Sequence, residues 1–409
     1  MAAIHPFKAI RPAKEFAAQV AAPPYDVMNV NEAREMTKDN PLSFLRVDKA
    51  ELEFDEAPDD DSVYAKAREN LDRLIERRAL TQDASPMLYI YRLTMDGRSE
   101  TGVVACCAID EYLSGVIKKH ELTREDKELD RIRHIEACGA HTGPIFLAYR
   151  AFEPIRREVS EWTLAREPEY DFIADDGVRH RVWAIDDSGV IERIAGLFKQ
   201  TPSLYIADGH HRNAAAVKVG LKMRERNEDP NAEHNFYLAV LFPDEDLVIM
   251  DYNRVVKDLN GLSEQRFFER VNENFHVEPC IKKSPEKPGD FSMYIAREWY
   301  RLTTKSHARS NDLVNGLDAS ILQNSLLAPI LGVDNPRTSP RVDFVGGVRG
   351  LSELERRVDS GEMKVAFALY PASMQELFAV ADAGLLMPPK STWFEPKLLS
   401  GLFIHSLKD

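Results

Sequence analysis

The sequence predicts a mixed α/β fold, of the α+β kind rather than a doubly wound sheet. Strand-like and helix-like segments follow one another without a regular β-α-β rhythm. An apolar run at 204–207 enters Asp208-Gly209 and passes at once into an alanine-rich helix. The 409 residues are 44% hydrophobic and 29% charged, the composition of a globular protein with a sizeable core.

Taken in order, residues 1–50 are rich in turn punctuation, notably Ala21-Ala22-Pro23-Pro24-Tyr25-Asp26-Val27 and Asn40-Pro41. Residues 51–61 hold seven acidic side chains, which read as a solvated loop. A polar helix is expected over 62–79, with Val63, Leu71, Leu74 and Ile75 facing the core. Strands at 87–94 and 101–109 are joined through Asp96-Gly97, a hairpin signal. A charged helix over about 119–138, an apolar segment at 144–150 and a helix near 154–166 follow. Residues 181–185 read as a strand and 188–199 as a helix. Beyond the 204–207 run, 236–242 and 247–251 are strand-like and are divided by a turn at 243–246. A helix near 263–274 opens the last third. Residues 281–290 carry two prolines and read as a loop, while 364–370 is a near-continuous apolar run suited to a buried strand.

Bulk composition excludes several classes. With 53 basic and 67 acidic residues, the net charge of −14 opposes a DNA-binding face and suits a local basic pocket for a small anion. The longest apolar runs fall short of the roughly 20 residues that span a bilayer. No apolar signal core stands near the start, so a cytoplasmic protein is expected. Four cysteines without a C-x-x-C pair make neither a disulfide framework nor a structural zinc site.

Residues 208–212, Asp-Gly-His-His-Arg, are the most informative. They fall where a strand becomes a helix. The first turn of a helix offers unpaired N–H groups and the positive end of its dipole, an anion site. Gly209 allows close backbone approach, and Asp208 can cap the helix or bind a metal or hydroxyl. An ordinary capped turn is the simpler reading, but His210, His211 and Arg212 add nothing to a cap.

A second stretch runs from Ile117 to His134. His120, Arg124, Lys127, Arg131 and His134 are spaced four, three, four and three. On one helix they would share a sector of roughly 80°, with Leu122 and Leu129 opposite as core anchors. Such a face is either solvated or turned towards phosphate. Glu121 beside it is the carboxylate to consider for base chemistry. Near the C-terminus, Arg337, Arg341 and Arg349 surround Gly346-Gly347, an anion nest or an ordinary tight turn. Residues 387–397 combine prolines, Lys390, Ser391, Thr392 and Trp393. This segment is either a strap over the core or a phosphate-holding loop with Trp393 as a stacking wall.

The strand followed by Asp208-Gly209-His210-His211-Arg212 and a helix resembles the phosphate-binding signature of the ParB/sulfiredoxin superfamily. Within it, the chain is similar to the free L-serine kinases. These carry the same D-G-H-H-R, an upstream His-Glu pair (here His120-Glu121) and a late segment matching Pro389-Lys390-Ser391-Thr392. Nearly end to end, the chain also resembles the microbial family known as domain of unknown function 1015. The shared marks are A-A-P-P-Y-D-V (21–27), K-K-H-E-L-T-R (118–124), A-D-G-H-H-R (207–212), Y-N-R-V-V-K-D-L-N-G (252–261), F-V-G-G-V-R-G (344–350) and P-P-K-S-T-W-F-E-P-K (388–397).

The resemblance implies a ParB/sulfiredoxin-like core over 111–260, an N-terminal extension over 1–110 and a C-terminal α/β region over 261–409 that completes the cleft. It implies phosphoryl transfer from ATP, or else ADP, with Mg²⁺, to the hydroxyl of free L-serine. Glu121 would be the general base and Asp208 a second catalytic carboxylate. Gly209, His210, His211, Arg212, Lys390, Ser391 and Thr392 would hold nucleotide phosphates. His120, Arg124 and Trp393 would face the substrate, whose carboxylate would be anchored by Arg124 or Lys118. Metal ligands are not assigned. Sulfiredoxin chemistry needs a cysteine where His210 stands, which opposes a thiol-based reductase. A ParB-like nucleotide switch or a non-catalytic regulator is the alternative.

Overall fold

The computed structural model describes residues 1–56 and 59–408 and is a mixed α/β fold. It divides into two compact units. The first comprises Met1–Lys118, Thr123–Leu247 and the chain from Pro396 onward; the second comprises Lys119–Leu122 and Val248–Glu395.

The first unit is built on a nine-stranded sheet. Its order is Ile117–Lys118, Leu204–Asp208, Ile145–Tyr149, Phe236–Pro243, Arg98–Ala108, Leu88–Met95, Arg179–Ile185 and Tyr170–Ile173, with Ile4–His5 also on Arg98–Ala108. Pairing is antiparallel except where Leu204–Asp208 meets Ile117–Lys118 and Phe236–Pro243 meets Ile145–Tyr149. The hairpin expected at Asp96-Gly97 forms, with Met95 opposite Arg98. Both loop residues have positive φ, 50° and 79°, the backbone twist a two-residue hairpin needs. Alternate residues of the central strands, among them Leu88, Ile90, Val103, Ala105, Ala239 and Leu241, pack with Ile145, Leu147, Leu204 and Ile206 into one core. Helices Glu153–Leu164 and Ser188–Phe198 cover it with Trp162, Ile194 and Phe198.

Several expectations change at this level. The polar helix spans Asp60–Glu76; Tyr64 and Ala67 join Leu71 and Leu74 inside, while Ile75 is exposed. The acidic run before it is structured on either side of Ala57 and Pro58, which lie outside the described residues. Glu53 pairs with Arg46 at 2.8 Å and Asp59 caps the helix by accepting from the Ser62 N–H at 2.8 Å. The charged helix spans Glu125–Cys138 rather than starting near 119. Arg124 is its N-cap, so His120 and Arg124 cannot share a helical face with the other three basic residues. The polarity of that face is also inverted. Leu122 and Leu129 are exposed, while Arg131 and His134 are buried at 7% and 3%.

The second unit centres on a six-stranded antiparallel sheet. Its order is Phe275–Pro279, Glu298–Thr304, Asp290–Ile295, Val365–Leu369, Tyr252–Val256, Val342–Gly346. The buried strand expected at 364–370 is in the middle. Its side chains alternate strictly: Val365, Phe367 and Leu369 enter one core, and Ala366 and Ala368 the other. Large residues thus face the Glu264–Asn274 helix and the 318–333 segment, and small ones leave room for Leu354 of the Gly350–Asp359 helix. The hairpin formed by Asp290–Ile295 and Glu298–Thr304 was not expected from the sequence, nor was its neighbour Phe275–Pro279.

Candidate functional site

In the first unit the 208–212 turn is set by its strand and helix. Leu204, Tyr205, Ile206 and Ala207 are buried in the sheet and deliver Asp208 to its edge. Gly209 is the N-cap of helix His210–Arg224, with φ +88° and ψ +31°. That left-handed conformation is open to glycine and costly for other residues. Its N-cap glycine brings no side chain of its own and no acidic residue sits in its first turn, so its dipole end favours an anion. Asp208 stands one residue before the N-cap glycine. It binds Arg212 Nη2 at 3.2 Å and lies 3.7 Å from Lys397 Nζ.

Arg212 also donates from Nη1 to the Pro144 carbonyl at 2.6 Å, which holds the guanidinium beside Gly209. His211 accepts the backbone N–H of Arg124 at Nε2, 3.0 Å away. The Arg124 side chain, by contrast, pairs with Asp126 and is exposed. The turn therefore gathers Asp208, Gly209, His210, His211, Arg212 and the Arg124 backbone.

Behind Arg212 is a small cavity of the same unit, where Tyr25, Asp48, Arg131, His134, Thr142 and Gly143 meet an apolar wall that includes Ile135 and Leu238. Arg131 stacks its guanidinium over the Tyr25 ring at 3.8 Å. Thr142 donates to Asp48 at 2.8 Å, and His134 Nε2 is 3.1 Å from the Val47 carbonyl. Burial, then the Arg131 charge, hold the His134 imidazole below its ordinary range. Gly143 packs closely here: a Cβ would stand 3.0 Å from Ser400 Oγ and 3.5 Å from Arg212 Nη1. Sequence reasoning quoted Tyr25 and Arg131 but missed that they meet. The Pro-Pro-Tyr-Asp motif was its only trace.

The second unit carries the other candidates. His120 Nε2 is 3.2 Å from Thr392 Oγ1, and the His120 carbonyl accepts the Met387 N–H at 2.8 Å. The His120-Glu121 pair is thus tied at both ends to the 387–392 segment. Lys390 has φ +58°, and its ammonium lies 5.6 Å from the centre of the Tyr252 ring. Ser391 donates to the Pro388 carbonyl at 2.7 Å. Trp393 pairs in a short strand with Met250, meets Tyr252 edge-on at 5.0 Å and donates to Glu395. Gly346 lies under that indole; a Cβ there would come within 2.7 Å of its ring. Gly346-Gly347 is therefore a close-packing point that leads into a short helical turn, Gly347–Arg349.

Residues 4–320 match the family described as "Protein of unknown function (DUF1015)". The chain belongs to this family. No curated protein matches it. Among solved structures, it is similar to a conserved hypothetical protein from Pyrococcus furiosus, at 15% identity over 74% of this chain and 94% of that one, with a TM-score of 0.36. A free serine kinase in complex with AMP is similar at 14% identity over 74% and 91%, with a TM-score of 0.36. SbnI with a C-terminal truncation, from Staphylococcus aureus, is similar at 12% over 73% and 85%, with a TM-score of 0.39. Such TM-scores mark a loose likeness. Among the described residues no helix is long and apolar enough to cross a membrane.

Proposed function

We propose that this family member is a small-molecule kinase that transfers a phosphoryl group from ATP to the hydroxyl of free L-serine. The observation that carries the reading is the helix start at Gly209. Its glycine N-cap lets a ligand approach the backbone, and it is flanked by Arg212, which Pro144 and Asp208 hold in place. Phosphoryl transfer needs positioning and charge neutralisation more than covalent help, and this turn is suited to both.

In this reading Gly209, His210, His211 and Arg212 hold the nucleotide phosphates. The Asp208 carboxylate, engaged by Arg212 and Lys397, keeps the guanidinium aimed. Lys390, Ser391 and Thr392 add a cation and two hydroxyls for phosphate oxygens. Mg²⁺ would supply further charge neutralisation at the phosphates, with water filling most of its shell. Glu121 takes the proton of the serine hydroxyl as its oxygen bonds to the γ-phosphorus. The bond from that phosphorus to the β–γ bridging oxygen breaks, and ADP leaves with the electron pair.

Glu121→Gln removes the base while keeping the side chain's size. The variant is expected to bind ATP as the parent does and to form no O-phosphoserine. Unchanged turnover would remove Glu121 from the reaction. Nucleotide binding by the parent protein with serine left intact would favour a switch instead.

A further inference from the structure

Arg254, on the Tyr252–Val256 strand of the second unit, is 4% exposed. The partners of its guanidinium are neutral. Nη1 donates to the Tyr252 carbonyl, Nη2 donates to the Lys390 carbonyl at 3.0 Å, and the Phe344 ring lies 5.2 Å away. Among the described residues no carboxylate pairs with it. Buried charges are ordinarily paired, because an uncompensated one is strongly destabilising. Burial pulls this guanidinium down to about 10, which marks how poorly its charge is compensated.

A charge of the opposite sign lines the same cavity. Asp318 accepts the Gly289 N–H at Oδ1, 2.8 Å away, and its Oδ2 is buried without a partner. Burial first, with the charges of Glu376 and Asp290 behind it, pushes this carboxyl up to about 7. Asp290 is itself 3% exposed, with Oδ1 unsatisfied. One cavity thus has a buried cation and a buried carboxylate that do not pair with each other. An anion alone would leave Asp318 uncompensated, and a cation alone would leave Arg254 so. Tyr252, Leu317, Tyr370 and Glu376 are also among the residues that line the cavity.

We propose that this cavity binds a free α-amino acid, its carboxylate on Arg254 and its ammonium on Asp318. The placing of the proposed base agrees. Met387 lines the cavity and donates its N–H to the His120 carbonyl, and Tyr252 feels the Glu121 charge. Naming L-serine as the occupant rests on the kinase reading; binding of the zwitterion does not.

The test is equilibrium binding of L-serine and L-alanine to the full chain, with acetate and ethylamine as probes of one charge each. Arg254→Gln and Asp318→Asn are compared with the parent. The parent should bind both amino acids and hold each probe at least about tenfold more weakly, the weight of one charged hydrogen bond. Each variant should lose about tenfold or more in amino-acid affinity. Asp318→Asn, nearly isosteric, should keep its melting behaviour and nucleotide affinity, so a misfolded Arg254→Gln would still leave the question decidable. No amino-acid binding by the parent, parent-like affinity in Asp318→Asn, or acetate held as tightly as L-alanine overturns the assignment. Phosphoryl transfer is measured separately. Amino-acid binding without transfer removes the kinase reading and keeps the cavity. Transfer with an unchanged KM for serine in both variants removes the cavity and keeps the kinase.

Discussion

Arg212→Ala is the perturbation that separates a phosphate-gripping turn from an ordinary one. The guanidinium is 12% exposed and already spends Nη1 on the Pro144 carbonyl and Nη2 on Asp208. Two losses should therefore be seen. Without the side chain, the Pro144 carbonyl and Asp208 each lose a donor, and stability should fall by about 1–3 kcal/mol. Separately, one charged hydrogen bond to a phosphate oxygen is worth about 1.5–3 kcal/mol, or roughly 12- to 150-fold in affinity. Arg212→Lys keeps the charge without the planar fork and should fall between the two. Calorimetric titration with ATP, at a temperature where melting curves show each variant folded, reads the second loss free of the first. A folded Arg212→Ala protein that binds ATP as tightly as the parent would place Arg212 outside the phosphate site.

Other outcomes follow from the same geometry. Gly209→Ala forces a Cβ into a left-handed backbone, at a cost of about 1–2 kcal/mol. It also brings that Cβ 3.1 Å from Arg212 Nε, so nucleotide affinity should fall as well; a thermal melt and a titration read the two effects. His180 bonds the buried Tyr91 hydroxyl at 2.7 Å and lies against Phe172. Burial lowers its pKa to about 4, so the folded imidazole resists a proton that the unfolded chain accepts near the ordinary histidine value of 6.5. The stability this contributes is complete above about pH 6.5 and is lost as pH falls towards about 4, a matter of roughly 3 kcal/mol. Denaturant titrations between these pH values should show a shallower loss in His180→Asn. Parallel curves would exclude His180 as the source.

The fold was most legible where one element decides its own structure. Asp96-Gly97 could only be a tight hairpin turn, and the 365–369 strand is apolar on both faces because both faces are covered. The 208–212 turn was legible for the same reason, since a glycine between a buried strand and a helix leaves few options. The basic stripe misled because spacing presumes a helix. Residues 119–124 are not helical, and Arg131 and His134 face inward, onto Tyr25 and the Val47 carbonyl. Those partners lie about a hundred residues upstream, beyond any local pattern. Leu122 and Leu129 show the converse error, since apolar side chains are often exposed. Arg254 and Asp318 escaped notice because the sequence places 63 residues between them. Only the tertiary fold brings both to one cavity.

The most direct measurement follows phosphorus. With ATP, Mg²⁺ and L-serine, ³¹P resonance on the full chain should show the γ-phosphate signal replaced by that of O-phosphoserine, in step with ADP. Glu121→Gln should leave the spectrum unchanged. Growth of inorganic phosphate alone, or an ATP spectrum that shifts on binding and never declines, would contradict the account.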